Sequence, residues 1–252
     1  MSNYLSEQQI KAFRETGYLV VPKLFSAAEM DAMAAWADEL QGWPEVPGKH
    51  MMYFEKSAKD ESRILNRLEN FLPYHEPFRH LCRGERMAGV VGELLGEPAV
   101  LFKDKINFKM PGGDGFAAHQ DVQAGWSRYA NFHITALVSI DPATKANGCL
   151  EMASHFHDRG LIGDEWTPLS EQDTSNMEFV SVETEPGDAV FFDSFAPHKS
   201  APNLTDRARR VLYITYNAAS EGDRLEQYYA DKRQSYPPDI EREAGRDYVF
   251  RV

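Results

Sequence analysis

The sequence is poor in cysteine, in positive charge and in long apolar runs, and each shortage removes a class of explanation. Its 252 residues hold two cysteines, Cys82 and Cys149. These are too few and too far apart for a disulfide framework or a CxxC site, so both are expected to be reduced thiols. Lysine and arginine number 27 against 39 aspartates and glutamates, a formal net charge of −12. Non-specific nucleic-acid binding needs a basic footprint, which this composition does not supply. No stretch approaches the roughly 20 apolar residues that cross a bilayer. The opening MSNYLSEQQIKAF lacks the basic and apolar regions of a secretory signal. Internal repeats and low-complexity segments are absent. The expectation is a cytoplasmic protein with no nucleic-acid, membrane or obligate protein partner.

What is present is an ordinary globular composition, 42% hydrophobic and 12% aromatic, enough for one sizeable core. The length suits a single large β-rich domain over 1–252. Ser6 with Gln9, and Ser26 with Glu29, form capping boxes that predict helices, the first to Glu15 and the second to about Leu40. A short strand, Tyr18 to Pro22, lies between them. From Gly42 to Glu61 the chain reads as irregular, and Ile64 to Leu72 as strand or short helix. A helix is predicted from about Pro77 to Leu95. Beyond it, strand-like runs recur between turn signals: Val100–Met110, Asn131–Ile140, Cys149–Met152, Glu178–Glu183, Ala189–Phe192 and Val211–Asn217. The tail from Leu225 to Val252 reads as a helix followed by an ordered extension. Helices first and strands after suit a β-barrel or sandwich buttressed by N-terminal helices.

The chemistry concentrates in FAAHQDVQAGW. His119 and Asp121 are two residues apart, and in extended backbone such side chains share a face. One imidazole and one carboxylate can thus converge on an ion. An isolated H-x-D is more often a surface pair, so a third ligand is required. His198, placed between the Ala189–Phe192 strand and a Pro-Asn turn, is the candidate. Two histidines and a carboxylate on one face leave three positions open, the arrangement of non-haem iron(II) oxygenases. A rival set, His155, His157 and Asp158, reads as a solvated turn. Arg209, eleven residues past His198, offers a planar fork that fits a carboxylate; only one of Arg209 and Arg210 can face inward from a strand.

These segments resemble the phytanoyl-CoA dioxygenase (PhyH) family of Fe(II)/2-oxoglutarate dioxygenases. The likeness runs from Phe13, Gly17-Tyr18 and Phe25-Ser26 through Lys109-Met110-Pro111-Gly112-Gly113 into His119-Gln120-Asp121. It continues through Asn147-Gly148-Cys149-Leu150 and Pro186-Gly187-Asp188 to His198, Ser200, Asn203 and Arg209. One departure is Met152-Ala153-Ser154-His155, where the family has a Pro-Gly-Ser-His turn. The resemblance implies a mainly β fold, a double-stranded β-helix (jelly roll) with flanking helices. It implies Fe(II) on His119, Asp121 and His198, with 2-oxoglutarate and O2 as co-substrates. Arg209 would bind the distal carboxylate of 2-oxoglutarate, with Asn107, Thr135 and Lys103 also contacting it. Retention of Asp121 favours hydroxylation over halogenation.

The run from Leu101 to Met110 alternates, with Lys103, Lys105, Asn107 and Lys109 on one face and Phe102, Ile106 and Phe108 on the other. Alone this describes a half-exposed strand; the resemblance turns its polar face toward the active site. Lys105, Lys109, Trp126 and Glu69 are then candidate substrate contacts. The expected substrate is small and anionic or zwitterionic, with 2-aminoethylphosphonate foremost. A free amino acid, an ectoine-like compound or a natural product stands as the alternative. A jelly roll that binds a ligand or metal without oxygenating anything is the competing class.

Overall fold

The computed structural model describes residues 4–248. In chain order the elements are α1 (Glu7–Thr16), β1 (Tyr18–Val21), α2 (Ala27–Gln41), β2 (Met51–Lys56), β3 (Arg63–Glu69), α3 (Glu76–Arg83), α4 (Glu85–Leu95), β4 (Ala99–Lys109) and β5 (Phe116–His119). Then come β6 (His133–Ser139), β7 (Leu150–Ala153), α5 (Glu171–Thr174), β8 (Phe179–Val182), β9 (Ala189–Asp193), β10 (His198–Ser200), β11 (Arg209–Ala218) and α6 (Leu225–Ser235). Seven strands form a major sheet in the order β1-β9-β6-β11-β4-β3-β2, and four a minor sheet in the order β5-β10-β7-β8. Two facing antiparallel sheets with helices on one side make the expected jelly roll.

Strand alternation sorts the side chains into two cores. Phe102, Ile106 and Phe108 of β4 and Leu212, Ile214 and Tyr216 of β11 face the helices, where they meet Met33, Leu40, Val90 and Leu94. Between the sheets, Leu137, Val190, Phe192, Val211 and Tyr213 pack on Leu150, Met152 and Val182. Each fully buried aromatic or aliphatic side chain contributes about 1.5–3 kcal/mol, so these two layers fix the sandwich. The face of β4 bearing Lys103, Lys105, Asn107 and Lys109 therefore points into the space between the sheets.

Both capping boxes form, with Ser6 and Ser26 accepting from the backbone of Gln9 and Glu29. Gly17 ends α1 in the left-handed conformation at φ 85°, and a Cβ there would fall 2.7 Å from the His157 ring. Two expectations are corrected and one open alternative is resolved. The long helix from Pro77 is broken at Gly84, whose backbone is extended and where a Cβ would meet the His80 carbonyl at 2.8 Å. The irregular stretch 42–61 contains β2, and the ambiguous stretch 64–72 is mainly β3; the two strands pair with each other, and β3 pairs with β4. Residues 249–252 of the predicted C-terminal extension lie outside the described residues. No helix among the described residues is long and apolar enough to cross a membrane.

Candidate active site

Strands β5 and β10 are short, and sequence patterning did not reveal them. They pair so that His119 and His198 stand directly opposite one another, with ring centroids 4.3 Å apart. Asp121 follows β5 by two residues, and one ligand atom from each of the three lies within 4.8 Å of the others. His119 Nδ1 lies 2.7 Å from the Ala117 carbonyl, and His198 Nδ1 3.0 Å from that of Ala196. A carbonyl only accepts, so each Nδ1 carries the proton and each Nε2 presents a lone pair inward. Burial, then the neighbouring His198, pushes His119 down to about 3; burial also lowers His198. Burial alone would raise the Asp121 carboxyl, but His198, Lys105 and His119 outweigh it and hold it below the usual range. Neutral imidazoles and an ionised carboxylate are the protonation states a divalent ion needs.

The major sheet supplies the surroundings. Thr135 donates to Asp121 Oδ2 at 2.9 Å and shares a 3.0 Å hydrogen bond with Thr215 on β11. Arg209, also on β11, is 1% exposed. Its Nε and Nη1 have no hydrogen-bond partner among the described residues, nor does Asn107 Oδ1. A buried guanidinium with two idle donors is costly unless an anion meets it. Arg210 faces the other way, paired with Asp141 by two 2.8 Å bonds and with Asp38.

A cavity of about 630 Å³ opens on His119 and Asp121. Arg67 and Glu69 sit across from Asn107 and Lys105 in the β3–β4 register. Glu69 is bonded to Arg67 Nε at 2.9 Å and to Lys232 of α6. Burial would raise its carboxyl, but Lys232, Lys103 and Arg67 together hold it far below the usual range. Three cations thus surround one carboxylate. Burial, then Lys103, brings the nearby Lys105 down to about 7.

The phytanoyl-CoA dioxygenase (PhyH) pattern matches residues 13–211. The chain belongs to that family. It is an Fe(II)- and 2-oxoglutarate-dependent dioxygenase. It is 41% identical over 247 residues to a 2-aminoethylphosphonate dioxygenase from an uncultured bacterium, covering 98% of this chain and 94% of the relative. A methylphosphonate hydroxylase from Gimesia maris is 40% identical, with 94% and 90% covered. Among solved structures, EctD from S. alaskensis with 2-oxoglutarate and 5-hydroxyectoine has a TM-score of 0.72 at 23% identity, covering 88% of this chain and 79% of that one. The epimerase SnoN in complex with Fe3+, alpha ketoglutarate and nogalamycin RO also scores 0.72, at 21% identity, with 96% and 92% covered. These structural likenesses support the fold. The PhyH relationship and the dioxygenase relatives set aside the non-catalytic binding module.

Within this PhyH dioxygenase, most of the predicted site residues meet around one space. His119, Asp121, Lys103, Lys105, Trp126 and Glu69 line the cavity, and Thr135 touches Asp121. Lys109 is placed differently: its ammonium bonds Ser200 Oγ at 2.8 Å and the Ala201 carbonyl at 2.6 Å, which ties β4 to the end of β10 and the residue after it. Lys109 is not among the residues that line the cavity. The rival histidines are also occupied elsewhere. His155 Nδ1 and His157 Nε2 bond the carbonyls of Glu15 and Arg14, anchoring their turn to α1.

Lining residues with no role in the sequence reading include Tyr129, Tyr228, Asp231, Lys232 and Tyr236. A signal existed in the spacing of Tyr228 and Lys232, four residues apart on one strip of α6, with Tyr236 just past its end. It reads as helix amphipathicity until the partner surface is known.

Proposed function

We propose that this dioxygenase is a single domain that hydroxylates a small organophosphonate, 2-aminoethylphosphonate foremost, at the carbon next to phosphorus. His119, Asp121 and His198 would hold Fe(II), their donor set and protonation matching that ion. Arg209 would clamp the distal carboxylate of 2-oxoglutarate through its two idle donors, with Asn107 beside it. When bound, the iron with 2-oxoglutarate and O2 supplies the oxidant: one oxygen atom goes to the product hydroxyl, the other to succinate, and CO2 leaves.

The chain's own residues do the rest. Thr135 orients Asp121 from the facing sheet. Lys103, with Lys105 at the ion-facing end, gives the cavity wall a surplus of positive charge beyond the Arg67–Glu69–Lys232 cluster. That surplus, inside a protein of net charge −12, is the observation that carries the reading, because a buried cationic cluster is stabilised by an anionic ligand. A phosphonate dianion supplies the charge and three acceptor oxygens. The two phosphonate-acting relatives support the same substrate class.

The test is substrate-dependent succinate from anaerobically purified protein supplied with Fe(II), 2-oxoglutarate and O2. A panel should compare 2-aminoethylphosphonate, methylphosphonate, ectoine and free amino acids. Succinate above the substrate-free control with a phosphonate supports the reading; succinate with another compound alone replaces it.

A further inference from the structure

Helix α6 lies beyond residue 211, where the family match ends, yet two of its rows line the cavity. Tyr228 and Lys232 form an inner row, continued by Tyr236 just past the helix end, and Gln227, Asp231 and Ser235 an outer one. Tyr228 and Lys232 are buried, whereas the whole outer row is exposed, so Asp231 stands at the cavity mouth. It accepts the Tyr129 hydroxyl at 2.9 Å and, among the described residues, forms no ion pair.

Rings fill the wall between mouth and interior. Trp126, Tyr129 and Tyr228 all line it, with Tyr129 and Tyr228 centroids 5.6 Å apart. Aromatic faces attract an ammonium group; Trp126 and Tyr228 already face the Lys103 ammonium, 5.2 and 5.7 Å from their centroids, so Tyr129, bonded to Asp231, is the ring that would meet a substrate ammonium. The cavity is therefore graded in charge, cationic around Glu69 and anionic and aromatic toward Asp231. Glu69 cannot serve as acceptor for a substrate amine, because Arg67, Lys103 and Lys232 already surround it and would repel a further cation. Asp231 has no such guard.

We infer that α6 sets the substrate choice of this enzyme, with Asp231 and the Tyr129 ring beside it holding a substrate ammonium at the end remote from the phosphonate. The inference rests on the phosphonate reading above and extends it from an anion to a zwitterion. A phosphonate without an amine uses the cationic interior and leaves the mouth unengaged. Asp231 touches the substrate tail and not the reacting carbon, so it determines specificity without taking part in the chemistry.

The test compares 2-aminoethylphosphonate with n-propylphosphonate, in which a methyl group replaces the ammonium. Succinate formation is followed for the parent and for Asp231→Asn, whose amide oxygen still accepts from Tyr129. Anaerobic calorimetric titration of the same two ligands supplies a readout independent of turnover. The expected result is a parent preference for the amine of at least about tenfold in kcat/KM. Asp231→Asn should lose most of that preference by raising KM and Kd for 2-aminoethylphosphonate about tenfold. Both constants for propylphosphonate, and the KM for 2-oxoglutarate, should stay unchanged. Equal use of both phosphonates by the parent, equal effects of the substitution on both, or no effect on either would overturn the role of Asp231 alone. Failure of both phosphonates to raise succinate above the control would overturn the phosphonate reading and this inference with it.

Discussion

The Thr135 hydroxyl on β6 reaches across the sandwich and donates to Asp121 Oδ2 at 2.9 Å. This hydrogen bond links the major sheet to a carboxylate carried just beyond β5 of the minor one. Thr135→Val keeps the shape and removes the donor. Partners that orient a ligand in this way typically control 10–100-fold in metal affinity. Fe(II) titration should show a loss of that size with an unchanged circular dichroism spectrum; unaltered affinity would show that Asp121 needs no such support.

Arg209 should govern 2-oxoglutarate alone. Its guanidinium is buried with two donors unpaired, and replacing it with Met removes both the clamp and the cost of that burial. The KM for 2-oxoglutarate should rise about 30-fold, equivalent to about 2 kcal/mol from a charged hydrogen-bonded contact. Thermal stability should hold or increase. A variant that melts earlier and keeps its 2-oxoglutarate KM would assign Arg209 to structure.

Lys103 and Lys109 share a face of β4 and should separate in their effects. Lys103, expected from the family resemblance to contact 2-oxoglutarate, lines the cavity beside Glu69; Lys103→Met is therefore expected to raise the KM for the primary substrate more than that for 2-oxoglutarate, with little change in melting temperature. Lys109→Met removes the bonds to Ser200 and Ala201 and should lower the melting temperature while leaving that KM alone. The opposite pattern would exchange their roles.

Asp104 lies on the apolar face of β4, fully buried, and its Oδ2 accepts the backbone N–H groups of Phe71 at 2.7 Å and Leu72 at 3.1 Å. Burial raises its carboxyl from 3.8 to about 6. The folded state therefore binds more protons than the unfolded state between these values, and the contribution of Asp104 to stability falls as pH rises through that window. Asp104→Asn keeps an acceptor without the charge. Its stability relative to the parent should improve by up to about 3 kcal/mol between pH 3.5 and pH 8, at 1.36 kcal/mol per pH unit. Urea unfolding at the two pH values measures this, and a pH-independent difference would contradict it. Asp104→Ala should destabilise by about 2 kcal/mol at pH 3.5, since it strands two buried N–H donors, and by less at pH 8, where the parent carries the cost of a buried carboxylate.

The sequence carried the site more clearly than the scaffold around it. His119 and Asp121 were legible because period-two geometry fixes their common face, and Arg209 because one residue of an Arg-Arg pair on a strand must turn inward. Strands β5 and β10 were not legible, since three or four residues show no period. β2 and β3 were obscured for another reason: polar Arg67 and Glu69 look solvent-facing until pairing with β4 places them beside Asn107 and Lys105. The break at Gly84 left the helical pattern intact on both sides, so periodicity read straight through it.

Local order in the chain determined the capped helices, the alternating β4 and the chemical identity of the ligands, because capping and side-chain alternation act over two to four residues. Only the tertiary structure decided that His198 faces His119, that Lys109 braces the end of β10, and that α6 closes the cavity wall. Each of those depends on contacts between segments tens of residues apart, whose register is set by packing between the sheets and not by any neighbour in the chain.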